Sequence, residues 1–176
     1  MVKFLVEPGY DVKSPEREYG NAGIDFFIPK YSETFEQAFN EKNNARNAYL
    51  CKYDDGDRFI RIRPHCRANI PSGIRSRFDA NIALEAQNKS GIATRTGLVI
   101  GAAVVDSSYK GIIHLSLINT TDECVDLPVG MKIMQFVPRF IDTSEIEVCR
   151  DMSLDEFYKG FEFSHRGEGA FGSTGV

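Results

Sequence analysis

What the chain lacks narrows what it can be. It has no basic excess: 21 Lys and Arg stand against 25 Asp and Glu, giving a net charge of −4 at pH 7 and a pI of about 5.4. A protein that wraps a nucleic-acid backbone carries the opposite balance, so no nucleic-acid partner is expected. A phosphate-bearing ligand would have to be met locally, by a few basic groups and a metal ion. No apolar run approaches a membrane span. The first residues, Met1–Pro8, turn polar too soon for a signal peptide, so the reading is a soluble, cytoplasmic protein with no membrane contact. The four cysteines, Cys51, Cys66, Cys124 and Cys149, are scattered and form no C-x-x-C pair. They predict neither a zinc site nor a disulfide framework, but buried or incidental thiols in a reducing compartment. His65, His114 and His165 are isolated, and no internal repeat is present.

What remains is an ordinary globular composition, 42% hydrophobic and 26% charged, with the length of one domain. Short alternating runs are broken by turn residues at roughly ten-residue spacing, the pattern of an all-β sandwich, barrel or jelly roll. The expected strands are Val2–Val6, Ile24–Ile28, Phe59–Arg63, Ala68–Ile70, Ile82–Ala86, Leu98–Val105, Ile112–Ile118, Cys124–Leu127, Lys132–Val137 and Glu145–Cys149. One segment, Tyr31–Asp57, is polar and breaks the rhythm. Its Thr34-Phe-Glu-Gln37 reads as a capping box and predicts a helix from about Thr34 to Tyr49, inserted into the sandwich. Ser153-Leu-Asp-Glu156 predicts a short helical turn. The body runs over 1–165, followed by a Gly-rich tail at 166–176.

The run Ala102–Asn119 reads as a β-hairpin. Asp106 follows two β-branched residues where the first strand enters the turn; it either caps that turn or accepts a proton from a water held there. Tyr109 presents a flat ring nearby, or simply packs on the strand. Asn88-Lys-Ser-Gly91 puts a cation, a hydroxyl and a glycine at a strand end, a pattern of small anion sites that also occurs in plain turns. Asp25 is an acid in an apolar strand, so it is a structural hydrogen-bond hub or a site residue. Gln135 is an amide in another apolar strand. The tail, Arg166-Gly-Glu-Gly-Ala-Phe-Gly-Ser-Thr-Gly175, cannot hold a helix by itself. Yet Arg166 offers a fork for phosphate, Phe171 a face for a base, and Ser173 and Thr174 donors.

Taken in order, these stretches resemble the five motifs of the trimeric dUTPase family: Ala22–Pro29, Asn88–Gly91, Ala103–Gly111, Gly130–Phe136 and Arg166–Gly175. The resemblance runs from about residue 20 to the end, leaving out Tyr31–Asp57, and is nearly letter for letter in the fifth motif. It implies a distorted β jelly roll, a homotrimer with active sites shared between subunits, and Mg²⁺-dependent hydrolysis of dUTP to dUMP and pyrophosphate. By the same resemblance Asp106 is the catalytic Asp that activates water, and Tyr109 packs under the deoxyribose. Backbone around Val104, Val105 and His114 reads uracil. Lys89, Ser90 and Gly91 bind phosphate, Gln135 lies near the α-phosphate, and Asp25 supports the site from behind. Arg166, Gly172, Ser173 and Thr174 hold the γ-phosphate region while Phe171 stacks on uracil, so the tail is a flexible lid. Mg²⁺ is held by the triphosphate and waters rather than by the chain.

Three departures stand out. Lys89 replaces an Arg usual in the second motif, Ala103 replaces a Gly in the third, and the Tyr31–Asp57 insertion is long. Two alternatives remain. A dCTP deaminase on the same fold would need a Glu five residues after Gly111, where this chain has Ser116, and usually a Trp in place of Tyr109. A dUTPase-like regulator would use nucleotide binding to control contact with a protein partner, with the insertion as its distinguishing feature.

Overall fold

β-branched and aromatic residues between turn residues form short strands, and most strands bury one face. In the computed structural model, which describes residues 1–160, the chain divides into two compact units, Met1–Thr143 and Ser144–Val176. The first unit is mostly antiparallel sheet. Its strands are β1 (Lys3–Val6), β2 (Ile24–Phe27), β3 (Ala48–Lys52), β4 (Arg58–Ile62), β5 (Arg67–Pro71), β6 (Ile74–Arg77), β7 (Ile82–Asn88), β8 (Leu98–Ile100), β9 (Val104–Val105), β10 (His114–Asn119), β11 (Val125–Pro128) and β12 (Lys132–Phe140). Helix α1 spans Glu33–Lys42 and α2 spans Ser90–Thr96. The sheets run β1-β6, β5-β10-β8, β11-β4-β3 and β2-β12-β7-β9. No described helix is long and apolar enough to cross a membrane.

The core is aromatic and branched. Phe26 packs edge-on to Phe136, with ring centroids 4.8 Å apart, and Phe4 packs on Phe26 at 5.5 Å. The inserted segment joins this core. Phe35 and Phe39 are fully buried, each worth about 1.5–3 kcal/mol of transfer free energy. Phe35 also meets Tyr10 edge-on. The helix starts at Glu33, one residue before the sequence reading, because Ser32 rather than Thr34 is the N-cap: its Oγ accepts from the Phe35 N–H at 3.1 Å. It ends at Lys42 rather than running to Tyr49. Asn43 takes over the C-terminus, donating from Nδ2 to the carbonyls of Phe39 and Asn69 and accepting from the Asn69 N–H at Oδ1. Those bonds tie the helix end to β5 and turn the chain into β3, which pairs with β4 from Ala48↔Ile62 to Lys52↔Arg58. The Tyr31–Asp57 segment therefore holds a helix of 10 residues and a strand of 5.

Three other elements depart from the sequence reading. Leu98–Val105 is not one strand. It breaks at Gly101, and β8 and β9 enter different sheets. A Cβ on Gly101 would meet Ser116 Oγ at 2.5 Å, so the chain approaches β10 closely there. For the same reason Ala102–Asn119 is not a paired hairpin: β9 pairs with β7 while β10 pairs with β5 and β8. Asn88–Gly91 does not end in a plain turn but opens α2.

In the second unit, α3 (Leu154–Phe157) carries the expected capping box, with Ser153 Oγ accepting from the Glu156 N–H and Glu156 reaching back to Ser153 N. Glu145–Cys149 alternates like a strand but forms none; Ile146 and Val148 are exposed. Alternation gives a face, and a strand also needs a partner edge.

Candidate active site

The cleft of about 520 Å³ that gathers the expected phosphate-binding groups of the second and fourth motifs is lined by Asn21, Gly23, Lys89, Ser90, Gly91, Arg95, Lys132 and Gln135, among others. Lys89 is the N-cap of α2 in extended backbone, and Ser90 and Gly91 are its first turn. Gln135 comes from β12, with Nε2 donating to the Asn88 carbonyl at 3.1 Å. Its position depends on Gly23: a Cβ there would lie 2.1 Å from Gln135 Oε1, so only a glycine lets the strand pass.

Asp25, on β2, sits behind this cleft and is mostly buried. Lys89 Nζ lies 2.5 Å from its Oδ1 and Lys132 Nζ 2.8 Å from its Oδ2. Burial pushes the Asp25 carboxyl up, but the hydrogen bonds and charges of Lys132 and Lys89 outweigh it and hold the group below its ordinary range. The same bond, against the cost of burial and helped by Glu16, raises Lys132. Lys89 is thus engaged by an acid rather than aimed freely at solvent. Lys132, Arg95 and Gly23 are site groups that the sequence reading passed over. Lys132 had a signal, a cation in the apolar run Gly130–Phe136. Arg95 had none until α2 was known.

A second cavity, of about 190 Å³, is lined by Ala102, Ala103, Val104, Val105, Asp106, Tyr109, Ile113, His114 and Phe136. Here the third-motif residues meet. Asp106 is exposed. Its backbone carbonyl accepts from the Tyr109 N–H, and its carboxylate makes no hydrogen bond or ion pair among the described residues, so capping the turn is not its work. Tyr109 Oη donates to the Ile112 carbonyl at 2.9 Å. Gly111 makes room for that ring: a Cβ would lie 2.3 Å from Oη. Burial and the charge of Lys42 push His114 below its ordinary value, against a backbone hydrogen bond at Ile112 that raises it. The imidazole is therefore neutral near pH 7.

The two cavities are separated by β12. Gln135 and Val137 line the first and Phe136 the second, and adjacent residues of a strand point to opposite faces. Asp106 and Tyr109 therefore do not share a cavity with Ser90, Gly91 and Gln135. Arg166, Phe171, Gly172, Ser173 and Thr174 lie outside the described residues.

A family model described as dUTPase matches residues 57–175. The chain belongs to the dUTPase family. A deoxyuridine 5'-triphosphate nucleotidohydrolase of Wolinella succinogenes is 32% identical over 118 residues, covering 66% of this chain and 73% of that protein. One of Yarrowia lipolytica is 34% identical over 88 residues, 50% of this chain and 52% of its own, so the chain spans about half the length of that relative. Among solved structures, a dUTPase of Staphylococcus bacteriophage 80alpha with dUPNHPP superposes with a TM-score of 0.67 at 18% identity, covering 100% of this chain and 99% of the other. At that identity the likeness establishes a shared fold. That phage protein is described as controlling transfer of virulence genes.

Proposed function

We propose that the protein hydrolyses dUTP to dUMP and pyrophosphate. The observation that carries this reading is the sorting of motif residues into two complementary cavities. One holds a hydroxyl, a glycine backbone and an amide suited to phosphates. The other holds a carboxylate unengaged among the described residues, beside an aromatic ring and extended backbone suited to a nucleoside. In the reaction Asp106 accepts a proton from water as its oxygen bonds to the α-phosphorus, the α–β phosphate bond breaks, and pyrophosphate leaves. Gln135, Ser90 and Gly91 hold the phosphate chain in line. Tyr109 lies against the deoxyribose, where its fixed ring leaves no room for a 2′-hydroxyl. Backbone at Val104, Val105 and His114, which line the second cavity, pairs with uracil, and the neutral His114 side chain adds no charge there.

Mg²⁺ would sit on the phosphate oxygens and neutralise charge there, as it does when one or two carboxylates and waters complete its shell. Among the described residues no group of three or more His, Cys, Asp or Glu side chains converges. The chain's own residues orient the phosphates and manage the proton.

Because β12 separates the two cavities, a nucleotide that uses both draws its Asp106 from one chain and its Ser90 and Gln135 from another. This supports a homotrimer with shared sites, built from a head-to-tail contact that closes. The 166–176 tail acts as the lid over such a site. The four cysteines are free, which suits work in a reducing cytoplasm.

The deaminase alternative has no support in β10: Ser116, where that chemistry would need a Glu, is buried and donates to Asn69 Oδ1 at 2.8 Å. The regulator alternative rested on an insertion free to meet a partner, whereas Phe35, Phe39 and Ala48 of that segment are in the core. Incubation with each deoxynucleoside triphosphate and Mg²⁺, with product identification, tests the proposal. Pyrophosphate and dUMP from dUTP alone are expected; ammonia from dCTP, or no turnover, overturns it.

A further inference from the structure

Three cations line the 520 Å³ cleft: Lys89, Lys132 and Arg95. Two of them share one carboxylate, Asp25. Arg95 makes no ion pair or hydrogen bond among the described residues, and it is exposed on the last turn of α2. Its direction follows from helix geometry. Arg95 stands four residues after Gly91, so the two lie on one face, one turn apart. Helical side chains lean toward the N-terminus of their helix, so Arg95 can reach back toward Ser90 along the wall of the cleft that both line. The face between them is open: a Cβ on Gly91 would meet no atom within 4 Å.

From this arrangement we infer that Arg95 is the residue that grips the terminal phosphates of the nucleotide in this cleft, in the role for which Lys89 is poorly placed. Lys89 is held by Asp25 and, as a point charge, has no planar fork. Among the described residues Arg95 is unpaired, and it presents two parallel N–H donors that match two phosphate oxygens. The inference rests on the dUTP reading above and adds to it a specificity-determining residue outside the expected site set. It assigns Arg95 to the β,γ end of the substrate, so the residue distinguishes a triphosphate from a monophosphate.

The test compares wild-type protein with Arg95→Ala and Arg95→Lys by calorimetric titration with dUMP and with a non-hydrolysable imido analogue of dUTP, and by steady-state kinetics on dUTP. Alanine is a better helix former than arginine at an exposed site, and matched thermal unfolding confirms that the variants are folded. Loss of a charged, bidentate contact is worth on the order of ten- to a hundredfold. We therefore expect Arg95→Ala to weaken the triphosphate analogue and raise KM for dUTP by that factor, with dUMP affinity within about twofold of wild type. Arg95→Lys recovers part of the loss, since charge without the fork is retained. Unchanged analogue affinity overturns the inference, as does an equal loss for dUMP and the analogue, which would mark Arg95 as merely structural. Absence of dUTP turnover in the wild type instead overturns the functional proposal, so the two failures are distinguishable.

Discussion

Subunit mixing gives a quantitative test of the division of labour across β12. Asp106→Asn removes the proton acceptor and Gln135→Ala removes the amide that bonds Asn88, so each homotrimer is inactive or nearly so. Chains carrying one change each are given different tags, co-expressed, and purified through both tags, which leaves only mixed trimers. In the proposed cyclic trimer each site takes Asp106 from one chain and Gln135 from the next. Whether a mixed trimer holds two chains of one kind or the other, a single junction joins an intact Asp106 to an intact Gln135. Recovered kcat per trimer is therefore about one third of wild type, by the closed head-to-tail arrangement, with KM near the wild-type value. The measurement is pyrophosphate release at saturating dUTP. Activity no higher than the parents would show that Asp106 and Gln135 act from the same chain, and the reasoning from opposite faces of β12 would fail.

Three further outcomes follow from named contacts. Gly111→Ala drives a methyl against Tyr109 Oη and breaks its bond to the Ile112 carbonyl, costing on the order of 1 kcal/mol. The displaced ring should narrow the preference for dUTP over UTP, and an unchanged ratio of kcat/KM for the two nucleotides would refute that role. Phe39→Ala should lower unfolding free energy by about 3–5 kcal/mol, as truncating a buried Phe does; a loss under about 1 kcal/mol in urea titration would mean the inserted helix is peripheral. Asp25 has a folded-state pKa below its ordinary value of 3.8. Its contribution is thus present above the unfolded value and is lost as pH falls through the lowered one. Wild type should lose stability on acidification below about pH 4, the unfolded carboxylate range, and Asp25→Asn should flatten that part of the curve; parallel curves for the two proteins would contradict the ion-pair assignment.

Elements whose information is local were legible in the sequence. Strands β2, β7, β10 and β12 follow from alternation of branched and polar residues, and α3 from its capping box. Elements decided by a distant partner were not. The end of α1 is set by Asn43 bonding Asn69, 26 residues away in sequence. The split at Gly101 is set by Ser116, and the missing strand at Glu145–Cys149 by want of an edge. In the site, chemistry-bearing residues such as Asp106 and Gln135 stood out because they interrupt apolar runs. Arg95 did not, because its place in the cleft depends on a helix that a short Ser-Gly stretch does not announce. Nor did alternation along β12 disclose that its neighbours Gln135 and Phe136 would each wall a different cavity.

The doubly bridged Asp25 has a consequence for what the idle protein attracts. With Lys89 and Lys132 both on its oxygens, and Glu16 also reaching Lys132 at 3.4 Å, the two lysines of the cleft carry their own counter-ions, and Arg95 is left as its uncompensated charge among the described residues. Chloride or orthophosphate, the abundant small anions of a cell, find no uncompensated lysine to occupy. Only a ligand bearing several negative charges in a chain can compete with a carboxylate already in place, drawing Lys89 or Lys132 outward while the other stays behind to keep Asp25 ionised. The cleft is in this sense an exchange site rather than a sink, selecting polyanions by what they must displace.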